Sequence, residues 1–195
     1  MSNDIINDLI LIDVGFDELS VIIASNDKTI KLLKGSNIHW ECDTISPVTT
    51  LIQLPYNNNN KQIICGMENG TLTQYIIKSN NNITPGWSIN DNNESKINCI
   101  TYYDFKNDGF PEIIVGRDNG IINLYEWKAN KKPYILLTQK LNESITSIDV
   151  GYVTGITNYD VVVSTYSGKI IAFHLNPETD FYGWEQTNNN HFDNN

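Results

Sequence analysis

The 195 residues carry a formal charge of −10 and a single arginine, Arg117. The clustered Lys and Arg that displace counterions from phosphates are therefore missing, which excludes a nucleic-acid groove and a direct hold on an anionic membrane surface. The length suits one domain with a sizeable core, or part of a larger one, and 40 % hydrophobic residues with ten Tyr, six Phe and four Trp fit a folded chain.

In chain order, the first apolar run is LILIDV (9–14), behind two aspartates. It is too short and too acidic for a secretory signal and reads as a strand. No apolar segment approaches the roughly 18 residues of a bilayer-spanning helix. Next comes VIIASNDKTIKLL (21–33), a β-hairpin whose turn position is Lys28, with Asn26 and Asp27 expected to do the turning. A further strand, IHWECD (38–43), carries Trp40.

The same grammar then returns three times. VTTLIQL (48–54) precedes IICGMENGTLTQYII (63–77), which turns at Gly70, and GWSIN (86–90) with Trp87 follows. INCITYY (97–103) precedes IIVGRDNGIINLYEW (113–127), which turns at Gly120, and PYILLT (133–138) with Tyr134 follows. ITSIDVG (145–151) precedes VVVSTYSGKIIAFHL (161–175), which turns at Gly168, and FYGWEQ (181–186) with Trp184 ends the series. In each hairpin a small residue, Ala24, Gly66, Gly116 or Ser164, closes the leading apolar triplet.

The turn positions lie 42, 50 and 48 residues apart, the length of a propeller blade. Four short antiparallel strands per repeat and no helical periodicity predict an all-β, WD40-like partial β-propeller of about four four-stranded blades. The propeller is expected over residues 1–180, with blades at about 5–47, 48–96, 97–144 and 145–187, and a disordered Asn-rich tail at 188–195. Roughly 28 asparagines, many in the tracts 57–60, 80–82 and 188–190, read as solvated insertions. The recurring aromatic, Trp40, Trp87, Tyr134 and Trp184, is expected to pack between blades. An unclosed array of four blades would leave edge strands and an apolar flank exposed.

Asp104, Asp108, Gly109 and Glu112 have spacings suggestive of a calcium loop, the alternative being an integrin-like calcium-binding propeller. Lys106 occupies the third position, where an ammonium repels the cation, and the cognate loops 15–20, 56–61 and 153–160 lack such carboxylates. An Asx-type turn is the expected reading. His39, His174 and His191 are scattered and sit in no nucleophile-elbow, P-loop or zinc spacing, so no catalytic, cofactor-binding or metal residue is assigned and no cofactor is expected. Cys42, Cys65 and Cys99, odd in number and without CxxC spacing, read as buried thiols of a reducing compartment. The sequons at Asn69, Asn82, Asn93 and Asn142 are what so Asn-rich a chain produces by chance.

VGRDNGIINLYEW (115–127), LNESITSIDVGYVTGITNYDVVVSTYSGKI (141–170) and, more faintly, ASNDKTIKLLKGSNIHW (24–40) resemble the propeller of the Bardet-Biedl syndrome protein 7 family. VVVSTYSG after Glu143 to Ile148 is the most specific part, and the likeness runs from about Ile5 to Leu175. The resemblance implies a noncatalytic scaffold in the BBSome, a coat that carries membrane proteins to and from cilia and serves cilium assembly. It implies as partners other BBSome subunits, especially subunit 2, and membrane-protein cargo, with membrane contact only through the complex. The implied location is the cytoplasm, the ciliary basal body and the ciliary membrane. The resemblance implies a longer propeller, of which this chain is expected to be the C-terminal four blades without the coiled coil and later regions.

Overall fold

The computed structural model describes residues 4–13, 19–57, 60–78, 83–90, 92–128, 131–155, 159–175 and 184–187. It contains four four-stranded antiparallel sheets, each a meander in chain order, and no helix among the described residues. The first sheet is β1 (Ile6–Asp13), β2 (Leu19–Ser25), β3 (Thr29–Lys34) and β4 (Asn37–Asp43), and the second is β5 (Val48–Asn57), β6 (Asn60–Met67), β7 (Leu72–Ile77) and β8 (Ile83–Ile89). The third is β9 (Ile97–Tyr103), β10 (Glu112–Arg117), β11 (Ile121–Glu126) and β12 (Tyr134–Lys140), and the fourth is β13 (Ile145–Gly151), β14 (Asp160–Thr165), β15 (Ile170–Leu175) and β16 (Trp184–Thr187). The first strand starts at Ile6, three residues before the apolar run that announces it, and the polar Asn7 and Asp8 in that extension turn out to bind the next sheet.

The hydrophobic core lies between the sheets, because each sheet is apolar on both faces and can bury them only against a neighbour. One cluster joins Ile12, Ile22 and Leu32 of the first blade to Val48, Cys65 and Tyr75 of the second. Another joins Leu54, Ile64 and Trp87 of the second to Ile97, Ile113 and Tyr125 of the third, and a third cluster joins Ile114 and Leu124 to Ile145, Val163 and Phe173 of the fourth. The inner strands carry the packing from blade to blade: β1 lies on β5, β5 on β9 and β9 on β13. No comparable packing joins β13 to β1 among the described residues.

Register makes the blades comparable position by position. Ile6, Val48, Ile97 and Ile145 face Ser25, Met67, Arg117 and Thr165 across a bulge that recurs in every inner strand pair. Ile97 and Ile145 are fully buried, and each presses its side chain into a glycine of the preceding blade. A Cβ added at Gly66 would stand 2.5 Å from Ile97 Cγ2, and one at Gly116 would stand 2.6 Å from Ile145 Cγ2. In the first blade the same position is Ala24, and its neighbour across the boundary is the smaller Val48. One carbon gained on one side is one carbon lost on the other, as close packing demands.

A latch accompanies each of these contacts. Asn7 Nδ2 donates to the Val48 carbonyl at 2.9 Å, the Thr49 hydroxyl to the Ile97 carbonyl, and Asn98 Nδ2 to the Ile145 carbonyl at 2.9 Å. The turn of each hairpin is tied back as well: the amides of Asn26, Glu68, Asp118 and Tyr166 donate to the carbonyls of Ile5, Pro47, Lys96 and Ser144.

The hairpin turns share one backbone, with φ of +81°, +83° and +86° at Gly70, Gly120 and Gly168. Asn26 and Asp27 form the turn of the first hairpin, as expected, and Lys28 follows in glycine's place with φ +64°. Asp27 also braces the turn, accepting from the Thr29 amide at 3.1 Å and the Thr29 hydroxyl at 2.6 Å. The paired strands β2 and β3 hold the turn in register, and the left-handed strain at one lysine is tolerated.

Candidate functional site

The segment from Asp104 to Glu112 links β9 to β10 and spends its carboxylates on its own backbone. Asp104 accepts the amides of Asp108 at 3.1 Å and Gly109 at 2.9 Å, and Asp108 accepts that of Phe110 at 2.9 Å. Asn107 and Gly109 adopt φ of +50° and +81°, the left-handed conformations that Asn and Gly supply at low cost. Glu112, 1 % exposed, accepts the Phe105 amide at 3.0 Å. Burial raises its carboxyl to about 7, against the opposing effect of that amide and of Lys106. Lys106 Nζ lies 2.8 Å from Glu126 Oε2 and 3.9 Å from Glu112 Oε1. Tyr134 donates to the same Glu126 oxygen at 2.5 Å.

The fourth blade repeats this device with other chemistry. Asp160, at the start of β14 where β10 has Glu112, accepts the amides of Val153 at 3.1 Å and Thr154 at 2.7 Å, and the Thr154 hydroxyl. Burial pushes its carboxyl up, but these bonds outweigh it and leave the group below its ordinary value. His174 Nδ1 lies 3.2 Å from Asp160 Oδ1. The second blade puts Gln62 there, accepting from Gln74 Nε2 at 2.8 Å. Glu112 and Asp160 anchor the loops before their strands, whereas Gln62 at the same place binds the side chain of a neighbouring strand. Among the described residues no three His, Cys, Asp or Glu are grouped so as to hold a metal ion.

The singled-out aromatics divide. Trp40 meets Tyr75 of the second blade edge-on at 5.9 Å, and Trp87 sits in the cluster shared with the third blade, so both pack between blades. Tyr134 is exposed and bonds within its own blade. Of Trp184 only the strand is described, and the expected tail at 188–195, with His191, lies outside the described residues. His39 is exposed on β4.

Two features escape a linear reading. Arg117 is buried, and no carboxylate pairs with it among the described residues. Its Nη1 reaches the carbonyls of Gly70 at 3.0 Å, Ser95 at 3.2 Å and Asn93 at 3.4 Å, its Nε reaches Asn123 Oδ1 at 3.0 Å, and its Nη2 reaches the Tyr125 hydroxyl at 3.0 Å. A lone guanidinium thus joins the third blade to the turn of the second. The other feature is an aromatic ridge at the joint between blades three and four. Its ring centroids are 4.9 Å apart for Phe105 and Tyr103, 4.2 Å for Tyr103 and Tyr159, and 4.1 Å for Tyr159 and Tyr152. The only sequence signal for it was Tyr and Phe recurring at the ends of two inner strands.

The model of the BBS7 beta-propeller matches residues 1–174, nearly all of the described chain. The chain belongs to the BBS7 β-propeller family. The mouse (Mus musculus) BBSome complex member BBS7 is 30 % identical over 182 residues, which are 91 % of this chain and 25 % of that protein. This BBS7-family chain therefore spans about a quarter of the curated relative it matches. Among solved structures it is similar to BBS1N, crystallised in complex with ARL6DN, with a TM-score of 0.66 at 16 % identity, covering 96 % of this chain and 57 % of that one. It is also similar to the WD40 β-propeller domain of Doa1, with a TM-score of 0.64 at 18 % identity, covering 94 % and 54 %. These two likenesses show the fold, that of WD40-type β-propeller blades.

Proposed function

We propose that this chain is a noncatalytic protein–protein interaction scaffold of a BBSome-type coat, acting in the traffic of membrane proteins to cilia and in cilium assembly. The family match over residues 1–174 carries the reading. The geometry is consistent with it, since the buried charges at Glu112, Arg117 and Asp160 are all engaged in fixing loops and joining blades. Coat subunits, subunit 2 foremost, and membrane-protein cargo are the partners, the chain reaches the membrane only through them, and it works at the basal body and ciliary membrane from the cytoplasm.

The test is recovery of the tagged chain from ciliated cells, with its bound proteins identified by mass spectrometry. Coat subunits at near-equal amounts are expected, together with tag fluorescence at the ciliary base. Recovery without a single coat subunit, from a chain that melts cooperatively, overturns the assignment.

A further inference from the structure

A groove of about 500 Å³ opens between the second and third blades, a volume in the range of ligand-binding clefts. The third blade lines it with Ile121 and Asn123 of β11 and Ile135 and Thr138 of β12, and the second lines it with Asn92 and Glu94, beyond β8. Each of these blades packs on a further blade at its other side, so the groove owes nothing to the ends of the array. A longer connection accompanies it: residues 90–96 join β8 to β9, seven residues, where four join β4 to β5 (44–47) and β12 to β13 (141–144). Alignment on the turn glycines makes Thr71 the counterpart of Ile121 at the joint before. The threonine is 2 % exposed and the isoleucine is half-buried, the reverse of what their polarities favour. Ile135 is 38 % exposed.

Register gives the groove its shape. Asn123 faces Thr138 and Tyr125 faces Ile135, so Ile121 and Ile135 stand four positions apart along the strands, about 13 Å, with Asn123 and Thr138 between them. That is the form of an extended chain rather than of a compact ligand. The middle is polar and already set. Asn123, buried, accepts from Arg117 Nε at 3.0 Å and donates through Nδ2 to the Thr138 hydroxyl at 3.0 Å. The Thr138 oxygen is thus used as an acceptor, and its hydrogen remains to donate, with no acceptor for it among the described residues. Glu94 is the one titratable side chain in the lining. It is exposed, and no cation pairs with it among the described residues.

We propose that this groove binds a partner protein through one extended segment of about four residues. Aliphatic side chains of the segment lie on Ile121 and Ile135, a main-chain carbonyl accepts from Thr138, and a lysine or arginine meets Glu94. An acidic segment is repelled by Glu94 and by the −10 charge of the chain. The site rests on the scaffold reading only for its occupant being a protein, while the groove and its donor stand on geometry.

The experiment selects random dodecapeptides displayed on phage against the immobilised 195-residue chain and measures the winners, as fluorescein-labelled synthetic peptides, by fluorescence anisotropy. Sequences with two aliphatic residues and a lysine or arginine within about five positions are expected, with dissociation constants of roughly 10–100 μM. Thr138→Val weakens binding about threefold to tenfold and Thr138→Ser does not, and Glu94→Lys weakens it about fivefold. Ile135→Ala, which touches neither polar group, weakens it about tenfold and keeps the test valid where Thr138→Val disturbs Asn123. No enrichment, enrichment of acidic sequences, or affinities indifferent to Thr138→Val, Glu94→Lys and Ile135→Ala overturns the proposal. So does self-association that Ile135→Ala abolishes, which would give the groove to a second copy. A chain that recovers coat subunits from cells and selects no such peptide sinks the groove alone, and one that selects the peptide and recovers no subunit sinks the coat assignment alone.

Discussion

Arg117 Nη1 donates to the carbonyl oxygen of Gly70 at 3.0 Å, across a blade boundary and 47 residues back along the chain. The guanidinium is desolvated, and the groups that replace its water are three carbonyls, a side-chain amide and a phenol. Arg117→Ala strands those acceptors in the interior and is expected to cost about 3–5 kcal/mol in urea unfolding. Arg117→Lys is expected to recover less than half of that loss, because an ammonium lacks the fork that reaches Gly70, Asn123 and Tyr125 together. If lysine restores full stability, the fork geometry is irrelevant and only the charge matters.

The carbon exchanged across blade boundaries can be tested directly. Gly116→Ala brings a methyl against Ile145 and Cys99 and is expected to destabilise by about 1–3 kcal/mol. Ile145→Val alone costs about 1 kcal/mol. Combined, they recreate the pairing of Ala24 with Val48, and the loss should fall short of the sum by roughly 1 kcal/mol in a double-mutant cycle. Strict additivity would show that the two side chains do not share that space.

Turn geometry makes opposite forecasts at equivalent sites. Lys28→Gly relieves a left-handed lysine and is expected to raise stability by about 0.5–1 kcal/mol, net of the entropy glycine adds to the unfolded chain. Gly120→Ala meets the same φ and, in addition, carbonyl oxygens of Leu141 at 2.4 Å and Glu143 at 2.5 Å from the new Cβ. It should lower the melting temperature well beyond what φ strain alone explains, by the equivalent of about 2 kcal/mol or more.

Glu112 gives stability a pH dependence of defined sign. Its carboxyl is raised from 4.5 to about 7 in the folded chain, so the folded state holds a proton that the unfolded state has released between those values. Its contribution is full below the unfolded value and is lost as pH rises toward about 7, a change of roughly 1–3 kcal/mol. Glu112→Gln cannot ionise and still offers an acceptor to the Phe105 amide, so its advantage over the parent should grow between pH 5 and 8, as followed by melting temperature. A constant difference across that range would place the proton elsewhere.

The repeat was legible because its punctuation is chemical. Gly70, Gly120 and Gly168 mark backbone conformations that other residues enter at a cost, and their even spacing reveals the blade. Lys28 interrupts that punctuation for the same reason: a lysine enters the left-handed conformation at a cost, and pairing of β2 with β3 overrides that local preference. Arg117 was visible only as a scarcity, since its partners at Gly70, Asn93 and Tyr125 converge through register. The latches at Asn7, Thr49 and Asn98 did leave a trace, a polar side chain at the same phase of three otherwise apolar strands, which becomes meaningful once the strands are aligned from Ile6 rather than Leu9.

The balance of Ala24 with Val48 and of Gly66 with Ile97 means that the four units cannot trade places. A gene rebuilt with its second and third segments exchanged would crowd Ile97 against Ala24 and leave a gap between Val48 and Gly116. Whatever duplications produced the array, its members have since become fitted to their neighbours, and their order is written in methyl groups.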